Sequence, residues 1–322
     1  MSELTQNPWF FCGIGGSGML PLALILKGHG SIVAGSDRSR DQGRTPEKFA
    51  WLEREGFTLF PQDGSGISSA DQVLVASAAV EDTVPEMVRA RELGCARMSR
   101  AELLARLFNA APRGVAIGGT SGKSTVTGMA GWILTSAGRD PTIMNCAVMK
   151  NFAAPDAPFA SARVGSCDVF VSEVDESDGS IALYRPAVSV LLNVSLDHKS
   201  MEELRELFGD FLAVAETAAL NADDPECCAL ASRAKAIIRF GIESTEAEIG
   251  VAPGSISEGP TTVSATVLDR RDGTSHPLTL QVPGRHNLAN ALAAIAAANA
   301  AGVAVADAVK ALGSYAGLAR RF

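Results

Sequence analysis

Seven residues near the middle of the chain could bind a phosphate group: Gly118-Gly119-Thr120-Ser121-Gly122-Lys123-Ser124. They follow an apolar run that ends at Ile117 and precede a helical pattern that begins at Thr125. A strand, a glycine-rich turn and a helix in this order wrap backbone N–H groups around a phosphate. The Lys123 ammonium can reach the β- and γ-phosphates, and the Ser124 hydroxyl can bind Mg²⁺. Because position 117 lacks the glycine of the usual spacing, we expect a compact loop for a nucleoside triphosphate.

A group of carboxylates follows the next apolar strand pattern, in the segment Glu173-Val174-Asp175-Glu176-Ser177-Asp178. Residues two apart along a strand share a face, so Glu173 and Asp175 are expected to point the same way. Carboxylates this close repel one another unless a cation or hydrogen-bond donors hold them. The pattern therefore favours a Mg²⁺ site near the phosphates over a solvated acidic loop.

Three further groups of polar residues could complete such a site. His198 follows the apolar run 188–194, and in a parallel sheet it would lie on the side of Lys123 and Glu173. That position favours a metal or phosphate role for His198 over a purely structural one.

An alanine-rich helix opens with planar polar side chains that could bind an adenine ring: His286, Asn287 and Asn290. Arg320 and Arg321, near the last residue, are either solvated or able to clamp a γ-phosphate.

A second glycine-rich loop lies near the start of the chain, at Gly13-Ile14-Gly15-Gly16-Ser17-Gly18. It follows a short apolar strand, precedes a helix, and is followed by a second strand and then by Asp37. This is the arrangement by which Rossmann folds bind a diphosphate, with the acid near a ribose. The pattern does not identify the diphosphate. A dehydrogenase that binds NAD is an alternative, which the phosphate loop at Lys123 disfavours.

Alternating strands and helices predict parallel sheets whose ligands lie at the carboxyl ends of the strands. Thr45 and Pro46 are expected to start one helix, with Thr45 as the N-cap, and Ser99 and Glu102 predict a capping box at another. Short strands between about 237 and 282 predict a small antiparallel addition. We predict an α/β fold with a Rossmann-like domain at 1–110, then a P-loop ATPase-like central domain at 111–322.

The composition of the chain indicates which classes of partner the protein can bind and in which compartment it is located. The net charge of −8 over 322 residues argues against a nucleic-acid partner. The six cysteines lack metal-ligand spacing, and the polar first residues lack a signal core, which indicates a cytoplasmic protein with reduced thiols. Asparagines interrupt the alanine-rich run after residue 289, and alanine is weakly apolar, so we predict no membrane partner.

Taken together, these motifs resemble the Mur ligase family, and within it the alanine-adding and tripeptide-recycling members. The motifs that carry the resemblance occur in family order along the chain: 13–19, 35–37, 119–124, 173–178, 197–198, 283–287 with Asn290, and 320–322.

The resemblance implies the ligands of each loop. A UDP-sugar substrate would lie on the first loop, near Gly13, Ile14, Gly15, Gly16, Ser17, Gly18, Met19, Ser36, Asp37 and Ser77. ATP would lie on the second loop, near Gly119, Thr120, Ser121, Gly122, Lys123, Ser124, Thr125, His286, Asn287 and Asn290. Ser124, Glu173 and His198 would surround Mg²⁺. The implied catalytic residues are Lys123, Glu173, His198, Arg320 and Arg321.

The resemblance implies an ATP-dependent ligase that joins an amino acid or peptide to the carboxylate of a UDP-N-acetylmuramate-like substrate. The reaction would pass through an acyl phosphate and would belong to peptidoglycan precursor synthesis or recycling. Family members carry a C-terminal domain for the amino acid, so we expect that domain to be absent here and the chain to be inactive alone. Two departures from the alanine-adding pattern lie at 145–148 and at Lys199-Ser200. The alternative is a non-catalytic nucleotide- or UDP-sugar-binding module that acts through a partner.

Overall fold

The structure, a computed structural model, describes residues 7–166, 168–196 and 199–319. Apolar runs near the start of the chain form a parallel sheet in the order β3-β2-β1-β4-β5. Its strands are Trp9–Cys12 (β1), Val33–Ser36 (β2), Thr58–Phe60 (β3), Val73–Ala76 (β4) and Ala96–Ser99 (β5). The helices between and after these strands are Leu20–Gly28 (α1), Arg38–Asp41 (α2), Pro46–Arg54 (α3), Pro85–Leu93 (α4) and Arg100–Asn109 (α5). This is the Rossmann-like arrangement that the sequence predicts.

A second sheet begins after α5 and has a parallel centre, in which β6 lies between β10 and β9. Its first strands are Arg113–Gly118 (β6), Thr142–Met144 (β7), Ala162–Arg163 (β8), Val169–Glu173 (β9) and Val188–Leu191 (β10). The strands on the other side are Thr217–Asn221 (β11), Ile237–Phe240 (β12) and Ile249–Val251 (β13). Because β6, β9 and β10 run parallel, the segments that follow them meet at one edge of the sheet.

The predicted antiparallel addition is present and continues the second sheet. Its strands are Ser257–Glu258 (β14), Val263–Asp269 (β15) and Thr274–Leu280 (β16). Strand β15 pairs antiparallel with β13, so the addition is hydrogen-bonded to the parallel centre. The prediction of an antiparallel ribbon is confirmed for β14, β15 and β16. It is wrong for β12 and β13, which pair in parallel and extend the parallel centre of the sheet.

The remaining helices pack on the faces of the second sheet. They are Lys123–Ser136 (α6), Met201–Val214 (α7), Pro225–Ala229 (α8), Arg285–Ala300 (α9) and Val305–Leu312 (α10). The alanines of α9 from Ala291 to Ala298 are buried, and the helix packs against α6. Small side chains permit this close approach between helices. Within the described ranges, none of the helices combines the length and apolar character needed to cross a bilayer.

A single hydrophobic cluster connects the two sheets. Phe108, on α5, contacts the ring of Phe170 on β9 at a centroid distance of 5.6 Å and the ring of Tyr184 at 5.1 Å. All three side chains are at most 2% exposed. The segment after β7 also reaches the first sheet, since Trp51 donates a hydrogen bond from Nε1 to the Asp156 carbonyl at 2.8 Å. Residues of both sheets therefore share one hydrophobic cluster.

The start of α3 differs from its prediction. The helix begins at Pro46 as expected, but Thr45 lies in the left-handed region with a φ of 45°. In the part of the chain that the structure describes, its hydroxyl makes no capping hydrogen bond. Thr45 is the N-cap residue, as predicted, but its side chain does not cap the helix, because a capping side chain needs extended backbone to aim its oxygen at the first turn.

The start of α5 agrees with its prediction. The Ser99 hydroxyl accepts a hydrogen bond from the Glu102 N–H at 3.1 Å, and the Glu102 carboxylate accepts one from the Ser99 N–H at 2.8 Å. These hydrogen bonds lower the pKa of Glu102 below its ordinary value. The capping box fixes the first turn of α5, which carries Arg100.

We expect Ser99→Ala to lower the free energy of unfolding by about 1 kcal/mol, the usual cost of losing an N-cap hydroxyl. Urea unfolding followed by circular dichroism measures the change. Ser99→Thr, which keeps the hydroxyl, is the matched control and should lose less. An alanine variant as stable as the unaltered chain would contradict the role of the cap.

Candidate functional site

The glycine loop between β6 and α6 has the backbone conformation that its glycines predict. Gly119 has a φ of 132° and Gly122 a φ of 86°, both in the region that side chains with a Cβ rarely adopt. The first helical residue is Lys123, directly followed by Ser124. The loop therefore turns tightly and presents both residues at the start of α6.

Asn193, which follows β10, holds this loop in place by hydrogen bonds. Its Oδ1 accepts hydrogen bonds from the Thr120 hydroxyl at 2.7 Å and the Ser121 N–H at 2.9 Å. Its Nδ2 donates to the Ser121 carbonyl at 3.1 Å. Asn193 is not among the predicted site residues, although its place at the end of a strand was the available signal.

The Lys123 ammonium pairs with the Glu176 carboxylate at 2.6 Å. The Glu176 side chain is 6% exposed and that of Lys123 is 19% exposed. A carboxylate this deeply buried needs a cation, since removing a charge from water is costly. Glu176 was quoted in the acidic motif but was not selected as a site residue, so the structure adds it to the site.

Glu173, at the end of β9, connects the glycine loop to the first residues after β7. One of its oxygens accepts a hydrogen bond from the Ser124 hydroxyl at 2.8 Å, and the other accepts the Cys146 N–H at 2.6 Å. In the described residues, no group of three or more histidine, cysteine or acidic side chains is arranged to hold a metal. Mg²⁺ usually takes one or two carboxylates and completes its shell with phosphate oxygens and water. Ser124 and Glu173 fit that kind of site.

The other acids of this segment are also held by donors. Asp175 accepts hydrogen bonds from the Ser177 N–H and hydroxyl, and Asp178 accepts the Ser180 N–H. Although burial acts in the opposite direction, the Ser177 hydrogen bonds and the charges of Lys123 and Arg100 hold the pKa of Asp175 below its ordinary value. Repulsion between these carboxylates is therefore relieved by hydrogen bonds and cations within the fold.

The first glycine loop is tied to the end of β2. The N–H groups of Gly13 and Ile14 donate to the Ser36 carbonyl, and Asp37 accepts the Gly15 N–H at 2.8 Å. The other Asp37 oxygen accepts the Ser39 N–H, also at 2.8 Å, so each carboxylate oxygen accepts a hydrogen bond from a backbone N–H group. Ile14 and Ser36 are fully buried behind the loop.

A cavity of about 430 Å³ lies between the two glycine loops. Its first wall consists of Gly16, Ser17, Gly18, Met19, Ser77 and Arg100. Its facing wall includes Lys123, Glu173, Asp175 and Tyr184. We call this space the reaction cavity, because it brings Lys123 and the first glycine loop to the same volume.

A second cavity of about 350 Å³ lies on the Asp37 side of the first loop. Asp37, Lys48 and Phe49 line it from the first sheet, while Cys146 and Phe159 line it from the segment after β7. Gly16 and Ser17 border both this cavity and the reaction cavity. A ligand bound at the first loop could therefore extend in both directions.

The third cavity, of about 390 Å³, lies on the other side of the Lys123 loop. Its lining includes Ser121, Gly122, Thr125, His286 and Asn290. A Cβ at position 122 would lie 2.8 Å from Asn290 Oδ1, so the loop and α9 are in close contact. The Asn287 amide instead donates to the Pro283 carbonyl at 2.7 Å and fixes the start of its own helix.

Three of the predicted site residues, His198, Arg320 and Arg321, lie outside the described residues. Their roles stay predictions.

The glycine loop at Lys123, its strand-end acids and the parallel sheets define a P-loop protein of the α/β class with a Rossmann-like sheet joined to it. Residues 117–298 match the Mur ligase middle domain, and residues 10–111 match the model described as Mur ligase family, catalytic domain. The chain belongs to the Mur ligase family.

Comparison with individual proteins agrees with this family. A UDP-N-acetylmuramate–L-alanine ligase of Clavibacter sepedonicus is 36% identical over 318 residues, which cover 97% of this chain and 63% of the relative. This chain therefore spans less than two thirds of that relative's length.

Two solved structures share the fold. The UDP-N-acetylmuramate–alanine ligase of Thermotoga maritima has a TM-score of 0.81 and 27% identity, and the match covers 98% of this chain and 70% of that one. A murein peptide ligase of Psychrobacter arcticus has a TM-score of 0.83 and 24% identity, over 97% of this chain and 69% of that one. At that identity, the second comparison supports the fold alone.

Proposed function

We propose that this chain forms the ATP- and UDP-sugar-binding part of an ATP-dependent ligase, which activates the carboxylate of a UDP-N-acetylmuramate-like substrate as an acyl phosphate. The observation that carries the proposal is the reaction cavity, where Lys123 and the first glycine loop face the same space. The names of the relatives, which include ligases acting on UDP-N-acetylmuramate, support this substrate class. The first domain, at 1–110, would bind the sugar nucleotide, and the domain from residue 111 would bind ATP.

The two ligands would enter from opposite sides of the site. The cavity beside His286 and Asn290 suits the adenosine part of ATP, with the phosphates along the Ser121–Ser124 backbone and Lys123. The first glycine loop suits the diphosphate of the sugar nucleotide. The sugar and its carboxylate would then extend into the reaction cavity, toward Lys123.

The chemistry requires two anions to react. A substrate carboxylate oxygen attacks the γ-phosphorus, ADP leaves, and an amine then attacks the acyl carbon so that phosphate leaves. Lys123 would neutralise charge on the transferred phosphoryl group, and the loop backbone would hold it in line for attack. The amino acid is expected to reach this site from a C-terminal domain.

Ser124 and Glu173 would hold Mg²⁺, and His198 is the further predicted ligand. When bound, the ion supplies positive charge that lowers the repulsion between the carboxylate and the triphosphate. The hydrogen bond from Cys146 N–H to Glu173 keeps that carboxylate oriented toward Ser124.

Oxygen transfer tests this proposal. When the C-terminal domain of a family member is supplied, we expect ATP and UDP-N-acetylmuramate carrying ¹⁸O in its carboxylate to yield ADP, and added L-alanine or peptide to release phosphate carrying one ¹⁸O. This chain alone should release none. Mass spectrometry of the phosphate measures the transfer. Tight binding of both ligands without ADP formation, even when that domain is supplied, would contradict the ligase and favour a non-catalytic binding module. The cytoplasmic location stays a prediction.

We further expect bound UDP-N-acetylmuramate to protect Cys146 from alkylation. Cys146 is half-buried and lines both cavities that meet at the first glycine loop. At a ligand concentration of ten times Kd, its labelling rate with iodoacetamide should fall roughly tenfold, because only the ligand-free fraction reacts. Peptide mass spectrometry measures the rate, and exposed Cys228 is the internal control. Equal protection at both cysteines, or at neither, would count against a ligand in these cavities.

A further inference from the structure

Arg100 is the first residue of α5, and its position is fixed from two sides. The capping box of Ser99 and Glu102 sets the backbone, and the side chain lies against the first glycine loop. A Cβ at position 18 would lie only 2.9 Å from Arg100 Cδ. The guanidinium is therefore next to the last glycine of that loop, where a Rossmann fold binds a diphosphate.

The Arg100 side chain is 23% exposed and lines the reaction cavity. Its acidic neighbours are Asp175 and Asp178, at 3.9 Å and 3.8 Å from the same guanidinium nitrogen. These distances are too long for hydrogen bonds. Both carboxylates are also more than a third exposed, and ion pairs of that kind contribute little. Arg100 can therefore exchange these neighbours for a better anion at small cost.

We infer that Arg100 binds the diphosphate of the sugar nucleotide, and that it leaves Asp175 and Asp178 to do so. A guanidinium can donate two parallel hydrogen bonds to a phosphate, which a lysine ammonium cannot match. Lys123, the other cation lining the reaction cavity, is already paired with Glu176. This inference rests on the proposed function, because it names the residue that selects a UDP-linked substrate at the same site.

Calorimetric titration with UDP, UDP-N-acetylglucosamine and UDP-N-acetylmuramate tests the inference. We expect Arg100→Ala to weaken all three ligands by roughly 10- to 100-fold, the usual range for a lost charge-assisted hydrogen bond. Arg100→Lys should lie between this variant and the unaltered chain. Arg106→Ala removes the same charge from an exposed position on the same helix, and it should leave all three affinities unchanged.

Removing the charge of an acidic neighbour of Arg100 should change the affinity for UDP in the opposite direction, and so provides a second test. Asp178→Asn keeps an oxygen for the Ser180 N–H but removes the charge that faces Arg100. It should strengthen UDP binding by roughly two- to fivefold, which corresponds to a weak ion pair. In the Arg100→Ala background the same change should give a smaller gain, because only the direct repulsion between Asp178 and the diphosphate is then relieved.

Three results would overturn the inference while the proposed function stands. These are equal UDP affinity in Arg100→Ala, an equal loss of affinity for adenylyl imidodiphosphate, and a loss confined to UDP-N-acetylmuramate. The second would indicate a structural role, and the third a contact with the carboxylate of the sugar. An unaltered chain that binds none of the UDP compounds would instead overturn the proposed function together with the inference.

Discussion

Lys123→Ala is expected to abolish ATP binding or to weaken it by roughly 100-fold or more, since Lys123 would bind the phosphates with several charge-assisted hydrogen bonds. The same change leaves the buried Glu176 carboxylate without its cation. Breaking a buried ion pair from one side costs about 3–5 kcal/mol, so stability should fall as well. Titration with adenylyl imidodiphosphate and urea unfolding measure the two effects separately.

A double variant separates loss of the ligand contact from loss of stability. Lys123→Ala with Glu176→Gln removes both charges of the pair, and it should recover much of the lost stability while ATP affinity stays low. Lys310→Ala removes an exposed helical lysine and is the matched control. Recovery of ATP affinity in the double variant would show that Lys123 acts by supporting the fold.

Glu173→Gln is expected to remove the magnesium-dependent part of nucleotide binding. The neutral amide can still accept the Cys146 N–H and contact the Ser124 hydroxyl, so the local structure should persist. Mg²⁺ prefers a charged carboxylate ligand. Affinity for the nucleotide with Mg²⁺ should therefore fall roughly tenfold or more, to the value measured in EDTA.

Titrations of the unaltered chain and the variant, each with Mg²⁺ and with EDTA, give the four affinities needed. Glu206→Gln, an exposed glutamate on α7, controls for the change in net charge. If Glu173→Gln lost equal affinity with and without Mg²⁺, Glu173 would have a structural role and the metal site would lie elsewhere.

Local signals in the sequence were sufficient for much of the fold. Pro46 begins α3 as predicted, and the serine and glutamate of the predicted capping box start α5. These signals work because they act within one turn of a helix. Thr45 is the exception, since this exposed residue has a left-handed backbone conformation that its sequence position does not reveal.

The partners of the site were harder to predict than its location. The strand-end motif predicted a group of carboxylates near Lys123, and the structure places Glu173 and Glu176 beside that loop, but β9 ends at Glu173. Beyond that residue the alternation of a strand no longer applies, so the sequence could not show that Glu176 faces Lys123. Arg100 was hidden for another reason, because its side chain contacts the first glycine loop, which is far from α5 in the sequence.

The aromatic contact of Phe108 with Phe170 and Tyr184 limits how this architecture can be recombined. Phe108 comes from the part of the chain that forms the first sheet, and Phe170 and Tyr184 come from the part that forms the second. Without its partner, each part would expose an aromatic surface to water. A graft that exchanged one half for that of a distant homologue would have to bring a matching ring surface with it. Substitutions at this interface should therefore occur in pairs during evolution, with a change on one side compensated by a change on the other.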